Sequence, residues 1–178
     1  MKRALAIVIL AGILFGAYRI YNSLQFQAAF SSDFYANIAD LPFDVTGKGV
    51  SITIPLREYR YRTCYDVAIA VPGWLALDDL PLDKGRIRYR FTSDGRTLAQ
   101  GVIAPKGREH QGQNKDYSLI ILFVFDLPFP EAKNGVDLTL EVVSPFDSLR
   151  KYMGRIRCLI NPDYTFKFDR CYHETLHI

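Results

Sequence analysis

Acidic side chains are missing from the first thirty-two residues, cysteine is missing before position 64, and tryptophan occurs once in 178 residues. Each gap excludes something. Without a cysteine near the N-terminus, no acylated cysteine can head a mature lipoprotein. Charge is sparse, at 23% of residues with a net of +3, whereas dedicated nucleic-acid binders concentrate Lys and Arg far beyond neutrality. Nucleic acid is therefore not an expected partner. Neither Gly-x-Ser-x-Gly nor a phosphate-binding glycine loop occurs, so no nucleophile elbow and no nucleotide cradle are encoded. His110 stands alone in a polar loop, and the chain is read as a non-enzyme without a cofactor. Repeats and low-complexity tracts are absent as well. An apolar share of 49% with 13% aromatics is wrong for a disordered chain and fits one domain with a sizeable core.

What charge there is has a position. Lys2, Arg3 and Arg19 are the only charged residues before Asp33, and with those set aside the basic and acidic residues balance. The surplus belongs to one element: Lys2-Arg3, an apolar run from Ala4 to Tyr18, then Arg19. A basic start followed by about fifteen apolar residues is a secretory signal by its physics, its positive end staying in the cytoplasm. Small-x-small cleavage patterning does not follow closely, since Tyr18, Ile20 and Tyr21 stand there and Ala29-Phe30-Ser31 lies far behind. Residues 2–21 would form about 30 Å of helix with snorkelling ends, enough to span a bilayer. The expectation is an uncleaved signal-anchor over 1–21, single-pass, with the N-terminus cytoplasmic and the C-terminal domain periplasmic or extracellular. A cleaved signal peptide is the alternative, and a buried helix of a soluble protein the plain remainder, disfavoured because no polar face interrupts the run. Residues 22–40, mixed polar and aromatic without glycine or proline, read as a juxtamembrane stalk or a continuing helix, and 41–178 as the folded domain.

From Phe43 onward the dominant period is two. Val50, Ile52, Ile54 and Leu56 alternate with Ser51, Thr53 and Pro55, the proline marking an edge strand. Tyr59, Tyr61, Thr63, Tyr65, Val67, Ile69 and Val71 line one face of a second strand, with Arg60, Arg62, Cys64, Asp66, Ala68 and Ala70 on the other. Ile87, Tyr89 and Phe91 alternate with Arg86, Arg88 and Arg90. Asp94-Gly95 is a hairpin signal leading into a strand at Thr97–Ala104. Tyr117–Leu127 is apolar on both faces, as a strand buried on both sides would be. Asn134-Gly135 opens a strand with Val136, Leu138, Leu140 and Val142, Pro145–Met153 reads as a short helical turn, and Asn161-Pro162-Asp163 reads as the turn of a closing hairpin. About eight strands with almost no helix predict an all-β fold, an antiparallel β-sandwich with a β-barrel as the alternative.

Three residue groups are candidates for chemistry. Cys64, Cys158 and Cys171, in a domain outside the cytoplasm, favour one disulfide with one thiol left over. A tight Pro162-Asp163 turn would pair Cys158 with Lys167, so a Cys158–Cys171 bridge needs a longer loop, and Cys64–Cys158 is equally open. Arg60, Arg62, Arg86, Arg88, Arg90, Arg155 and Arg157 recur at strand spacing. If their strands are neighbours they form one cationic face for an acidic partner or lipid headgroups, the plain alternative being a solvated outer face. Trp74 and the polar loop Pro105–Asp116, with Arg108 and His110, are the candidate partner contacts. Cys171, His173 and His177 are ligand types that suit zinc or copper, but so near a chain end they read as a solvated tail, and no metal is assigned.

The order of an N-terminal anchor, Leu41-Pro42-Phe43-Asp44-Val45, a strand through Ile52-Thr53-Ile54 and a tyrosine-rich strand ending at Val71 resembles uncharacterised bacterial families of short secreted or membrane-anchored periplasmic β-sandwich proteins. Some members look like immunity or accessory proteins beside toxin and secretion genes. The lipidated cysteine of many secreted members is missing here, and the resemblance supplies no site residues. Together these readings predict a membrane-tethered binding module that captures a protein partner, of the kind an immunity protein makes with a secreted toxin. A structural subunit of an envelope or secretion assembly, and a binder of lipid or a small ligand between the sheets, are the alternatives.

Overall fold

The computed structural model describes residues 2–57, 61, 63–73, 84–105, 111–113, 116–126 and 135–178, with side chains from Ile9 onward except at 111–113. Helix α1 runs Lys2–Tyr21 and helix α2 runs Leu24–Phe30. Ser23 separates them by capping α2, its Oγ accepting a hydrogen bond from the Phe26 amide at 3.3 Å. Ile9, Leu10, Ile13, Leu14 and Phe15 of α1 are each more than half exposed. Among the residues whose side chains are described, no helix is long and apolar enough to cross a membrane; in α1 those side chains begin only at Ile9.

The rest is mostly strand: β1 Ala39–Pro42, β2 Ser51–Pro55, β3 Cys64–Pro72, β4 Arg86–Ser93, β5 Arg96–Ile103, β6 Gln111–Gln113, β7 Tyr117–Asp126, β8 Asp137–Ser144, β9 Arg157–Pro162, β10 Tyr164–Thr165, β11 Arg170–Cys171 and β12 Thr175–His177. The first sheet has the order β1-β9-β3-β7-β12, with β6 also paired to β7. The second has the order β2-β8-β4-β5, and β10-β11 form a separate hairpin. Among the described residues no sheet closes on itself, so the barrel alternative does not describe this chain. Pro55 sits where a proline is tolerated, on the edge strand β2. Asp94 and Gly95 both have positive φ, 48° and 74°, the backbone that a tight β4–β5 turn demands.

Alternation explains the main core. Tyr65, Val67, Ile69 and Val71 of β3 face Ile87 and Phe91 of β4 and Leu138, Leu140 and Val142 of β8, all buried in one cluster between the two sheets. Phe43 and Val45 plug the same core, while Asp44 between them accepts hydrogen bonds from Thr46 N–H at 3.0 Å and Gly154 N–H at 3.3 Å. The Leu-Pro-Phe-Asp-Val segment is thus a structural anchor of the chain. The expected short helical turn is a 3-10 helix, Asp147–Tyr152, with Leu149 buried.

A two-layer reading leaves the far side of the first sheet to solvent, and this is where the structure differs. A second cluster buries Cys64, Ala68 and Ala70 of β3, Leu119, Ile121 and Val124 of β7 and Leu159 of β9 beneath Ala28, Phe34 and Tyr164. Small side chains on β3 let α2 and the aromatic rings approach closely. A seven-residue helix is too short to be stable alone, and burying Phe34 contributes about 2 kcal/mol or more toward holding it in place. Residues 24–40 therefore belong to the folded layer, and the boundary expected at 41 falls inside β1.

One further expectation is corrected here, and a second, a single disulfide with one thiol left over, is met with a pairing other than the two weighed. Asn161-Pro162-Asp163 is not a hairpin turn, because β9 ends at Pro162 and β10 pairs with β11 instead. The chain leaves the sheet there, with Asp163 N–H donating to Cys64 O at 3.0 Å. The disulfide is Cys64–Cys171, and Cys158 is a buried free thiol. Cys158 pairs with Ile69 and points into the inter-sheet core, whereas Cys64 belongs to the opposite face of β3. The sheet itself keeps those two sulfurs apart.

Candidate functional site

A β-bulge shapes one wall of a cleft in the molecule. On β7, Val67 faces Phe123 and Ala68 faces Ile121, so Leu122 is the extra residue. The bulge turns Phe123 and Phe125 toward the inter-sheet core already occupied by Ile120 and Leu122. Phe123 lies 5.0 Å from the Tyr89 ring, and Phe125 the same distance from Phe91. Beside this aromatic group a cleft of about 380 Å³ opens between Tyr89, Ile103, the Ile121–Val124 stretch of β7 and residues 173–176. Its wall depends on Gly101, which pairs with Tyr89 across β4 and β5. A Cβ at that position would stand 2.7 Å from Tyr89 Oη and 2.8 Å from Cε1, so only glycine lets the ring lie on the strand. Gly101→Ala is expected to displace the ring and destabilise the fold by about 1–3 kcal/mol. A denaturant midpoint unchanged from that of the parent chain would show that the ring has room to move.

On the other face of the first sheet, a pocket of about 430 Å³ lies between Leu24 at the start of α2, the Cys64–Cys171 bridge, Arg170 and Asp126. The Asp126 carboxylate is 2.8 Å from His177 Nδ1. Tyr164 donates a hydrogen bond to Asp169, which closes the base of the β10–β11 hairpin.

Under the hairpin is a buried polar cluster that strand patterning alone does not single out. Asp66 is buried and accepts a hydrogen bond from Asn161 Nδ2 at 3.2 Å. Asp163, also buried, accepts from the His173 amide at 3.0 Å and faces its Nδ1 at 2.9 Å. Burial pushes the Asp66 carboxyl up to about 7; Asp163 adds to the rise, while Asn161 and His173 oppose it. Burial likewise raises the Cys158 thiol to about 12, which makes it unreactive in the folded chain. The visible signal for the cluster is an acid among alanines on an alternating strand.

The C-terminal tail is engaged rather than solvated. Cys171 is in the disulfide, His173 is held by Asp163 and His177 by Asp126. Residues 173–177 spell His-Glu-x-x-His, which serves zinc only where a helix turns both imidazoles to one side. Here Thr175–His177 is a strand, β12, and the two imidazoles go to different carboxylates. Among the described residues no group of three or more His, Cys, Asp or Glu is arranged to hold a metal.

The arginines occupy different surfaces. Arg86, Arg88 and Arg90 share the outer face of the second sheet, where Arg88 pairs with Glu141 at 2.6 Å. Arg157 lies on the first sheet and bonds Asp40 of β1. Arg155 stacks over Tyr152, 5.8 Å from its centroid. The structure thus separates β4's arginines from those after the 3-10 helix, and a single face containing all of them is not formed. Arg60, Arg62, Trp74, Arg108 and His110 lie outside the described residues.

No protein-family model matches the chain, and no curated protein matches it. Among solved structures, the crystal structure of a Sulfurospirillum deleyianum protein is similar with a TM-score of 0.49 and 12% identity, over 71% of this chain and 98% of that one.

Proposed function

We propose that this chain is a membrane-tethered, extracytoplasmic β-sandwich binding module whose partner is a protein, in the manner of an immunity protein that intercepts a secreted toxin. The observation that carries the tether is α1: twenty residues, basic at its start, without an acidic residue, and with large apolar side chains exposed where they are described. In water such a surface is a liability, and in a bilayer it is the stable state. The Cys64–Cys171 bond supports the same side of the membrane, since disulfides persist in oxidising compartments. Lys2 and Arg3 hold the N-terminus in the cytoplasm, and the sheets follow on the far side.

A reporter active only outside the cytoplasm, fused after Ile178, tests the topology. It is expected to be active, and a silent reporter with an active cytoplasmic counterpart would overturn tether and compartment together. Partner capture has its own test, stoichiometric co-purification from detergent extracts of the native host. Recovery of no protein, with residues 105–116 deletable without phenotype, would sink that half of the proposal.

The inter-sheet cleft favours a second reading, a module that holds an acyl chain or another small apolar ligand. Its 380 Å³ lies at the low end for ligand pockets, and Tyr89, Ile103 and Phe123 give it an apolar lining. Organic extraction of the purified chain would release that ligand, and a clean extract would remove the reading.

A further inference from the structure

The β10–β11 hairpin exposes more aromatic surface than a solvated turn needs. Phe166 is 44% exposed, Phe168 65% and Tyr172 66%, and the nearby Tyr35 is 46% exposed. Their arrangement is fixed. Cys171 ties the hairpin to β3, Tyr164 bonds Asp169, Phe168 N–H donates to Thr165 O at 3.3 Å, and the Arg170 guanidinium stands 5.6 Å from the Phe168 centroid. Lys167 lies between the two phenylalanines. Aromatic rings interleaved with cations on a rigid turn have the chemistry of a bilayer interface, where rings sit at headgroup level and Lys and Arg meet lipid phosphates.

Position relative to the tether decides the occupant. Only Asn22 and Ser23 separate α1 from α2. Leu24 then lines the same pocket as Arg170 and Cys171, so the hairpin is packed within a few residues of the end of α1. An aromatic series runs along the connection: Tyr21 lies 5.5 Å from Phe26, and Phe26 lies 4.7 Å from Phe30, which is 74% exposed. A ligand meeting the hairpin at that place is the lipid surface that surrounds the helix.

We infer that the Phe166–Arg170 turn rests in the interface of the membrane that α1 crosses, a second contact that sets the domain's orientation on the bilayer. The inference rests on the proposed tether, and the experiment separates the two. The full chain is reconstituted in vesicles of phosphatidylethanolamine and phosphatidylglycerol containing a phospholipid with a photoactivatable group near the headgroup end of its acyl chain. Adducts are then mapped by mass spectrometry, with Val102 and Met153, exposed apolar residues at 51% and 60%, as controls. Adducts are expected on α1 and on Phe166–Arg170, well above the controls. In Phe166→Ser/Phe168→Ser the hairpin adducts should be lost and those on α1 retained, with the disulfide intact as evidence of folding. Adducts on α1 alone would overturn this inference and leave the tether standing. Adducts on neither would overturn both. A hairpin without lipid adducts in a chain that sediments as a dimer, the dimer being lost in Phe166→Ser/Phe168→Ser, would assign the patch to a second copy and also overturn the inference.

Discussion

Breaking the Cys64–Cys171 bond is expected to lower the unfolding free energy by roughly 2–5 kcal/mol. The two cysteines are 107 residues apart in sequence. Cross-linking so long a loop removes much of the unfolded chain's freedom, by about 4.7 kcal/mol for a loop of ~100 residues in the chain-entropy estimate. The bond joins β3, at the middle of the first sheet, to a hairpin of two-residue strands with little core of its own. Without it, Tyr164 and the layer over Ala68 and Ala70 rely on apolar contact and on a few hydrogen bonds, such as that from Asp163 N–H to Cys64 O. The double variant Cys64→Ala/Cys171→Ala should therefore show a lower denaturant midpoint than the oxidised parent, and amide exchange should accelerate first over residues 164–172. Cys158 supplies an internal reference. Buried and with its thiol raised to about 12, it should react with a thiol reagent only on unfolding, whether or not the bridge is present. An unchanged midpoint in the double variant would show that the outer layer is held by packing and not by the cross-link.

The inward faces of β3, β4 and β8 are legible in the sequence because burial on one side of a strand leaves a period of two, and Tyr65, Val67, Ile69 and Val71 all fall on the side the period assigns them. The Asp94-Gly95 turn is legible because few residues accept positive φ at two consecutive positions. The outer layer is not legible. Cys64, Asp66, Ala68 and Ala70 look like a neutral or solvated face, yet their small size is what admits α2 and Phe34. The bulge at Leu122 is hidden for a related reason: in a strand apolar on both sides, a phase slip leaves the pattern looking the same. The Cys64–Cys171 pairing depends on which face of the sheet each sulfur occupies, and it becomes visible only once the chain is known to leave the sheet after Pro162. His-Glu-x-x-His in the tail shows the converse, a spacing whose meaning disappears when a strand replaces the helix that gives it force. The aromatic hairpin escapes because Phe166 and Phe168 read as ordinary strand residues until their exposure is seen.

Asp66 should make the protein less stable as pH rises. Its carboxyl is lifted from the usual carboxylate range to about 7, by burial first and then by the neighbouring Asp163, with Asn161 and His173 working the other way. A raised folded-state value means that the native chain holds its proton more tightly than the unfolded one, so between about pH 4 and 7 the unfolded state binds fewer protons. Stability from this group is fully present below about pH 4 and falls through the interval at up to about 1.4 kcal/mol per unit of pH. Above about pH 7 the loss is complete, with a ceiling near 4 kcal/mol. Asp66→Asn keeps the oxygen that accepts from Asn161 Nδ2 and removes the charge beside Asp163. The variant should match the parent at about pH 4 and exceed it at about pH 8, with the gap opening across the interval. Asp163 and His173 are common to both proteins, so the comparison of parent with variant, rather than the parent's profile alone, isolates Asp66. Parallel pH profiles for the two chains would show that Asp66 is ionised in the fold, stabilised by the Asn161 and His173 side of the cluster against the cost of burial.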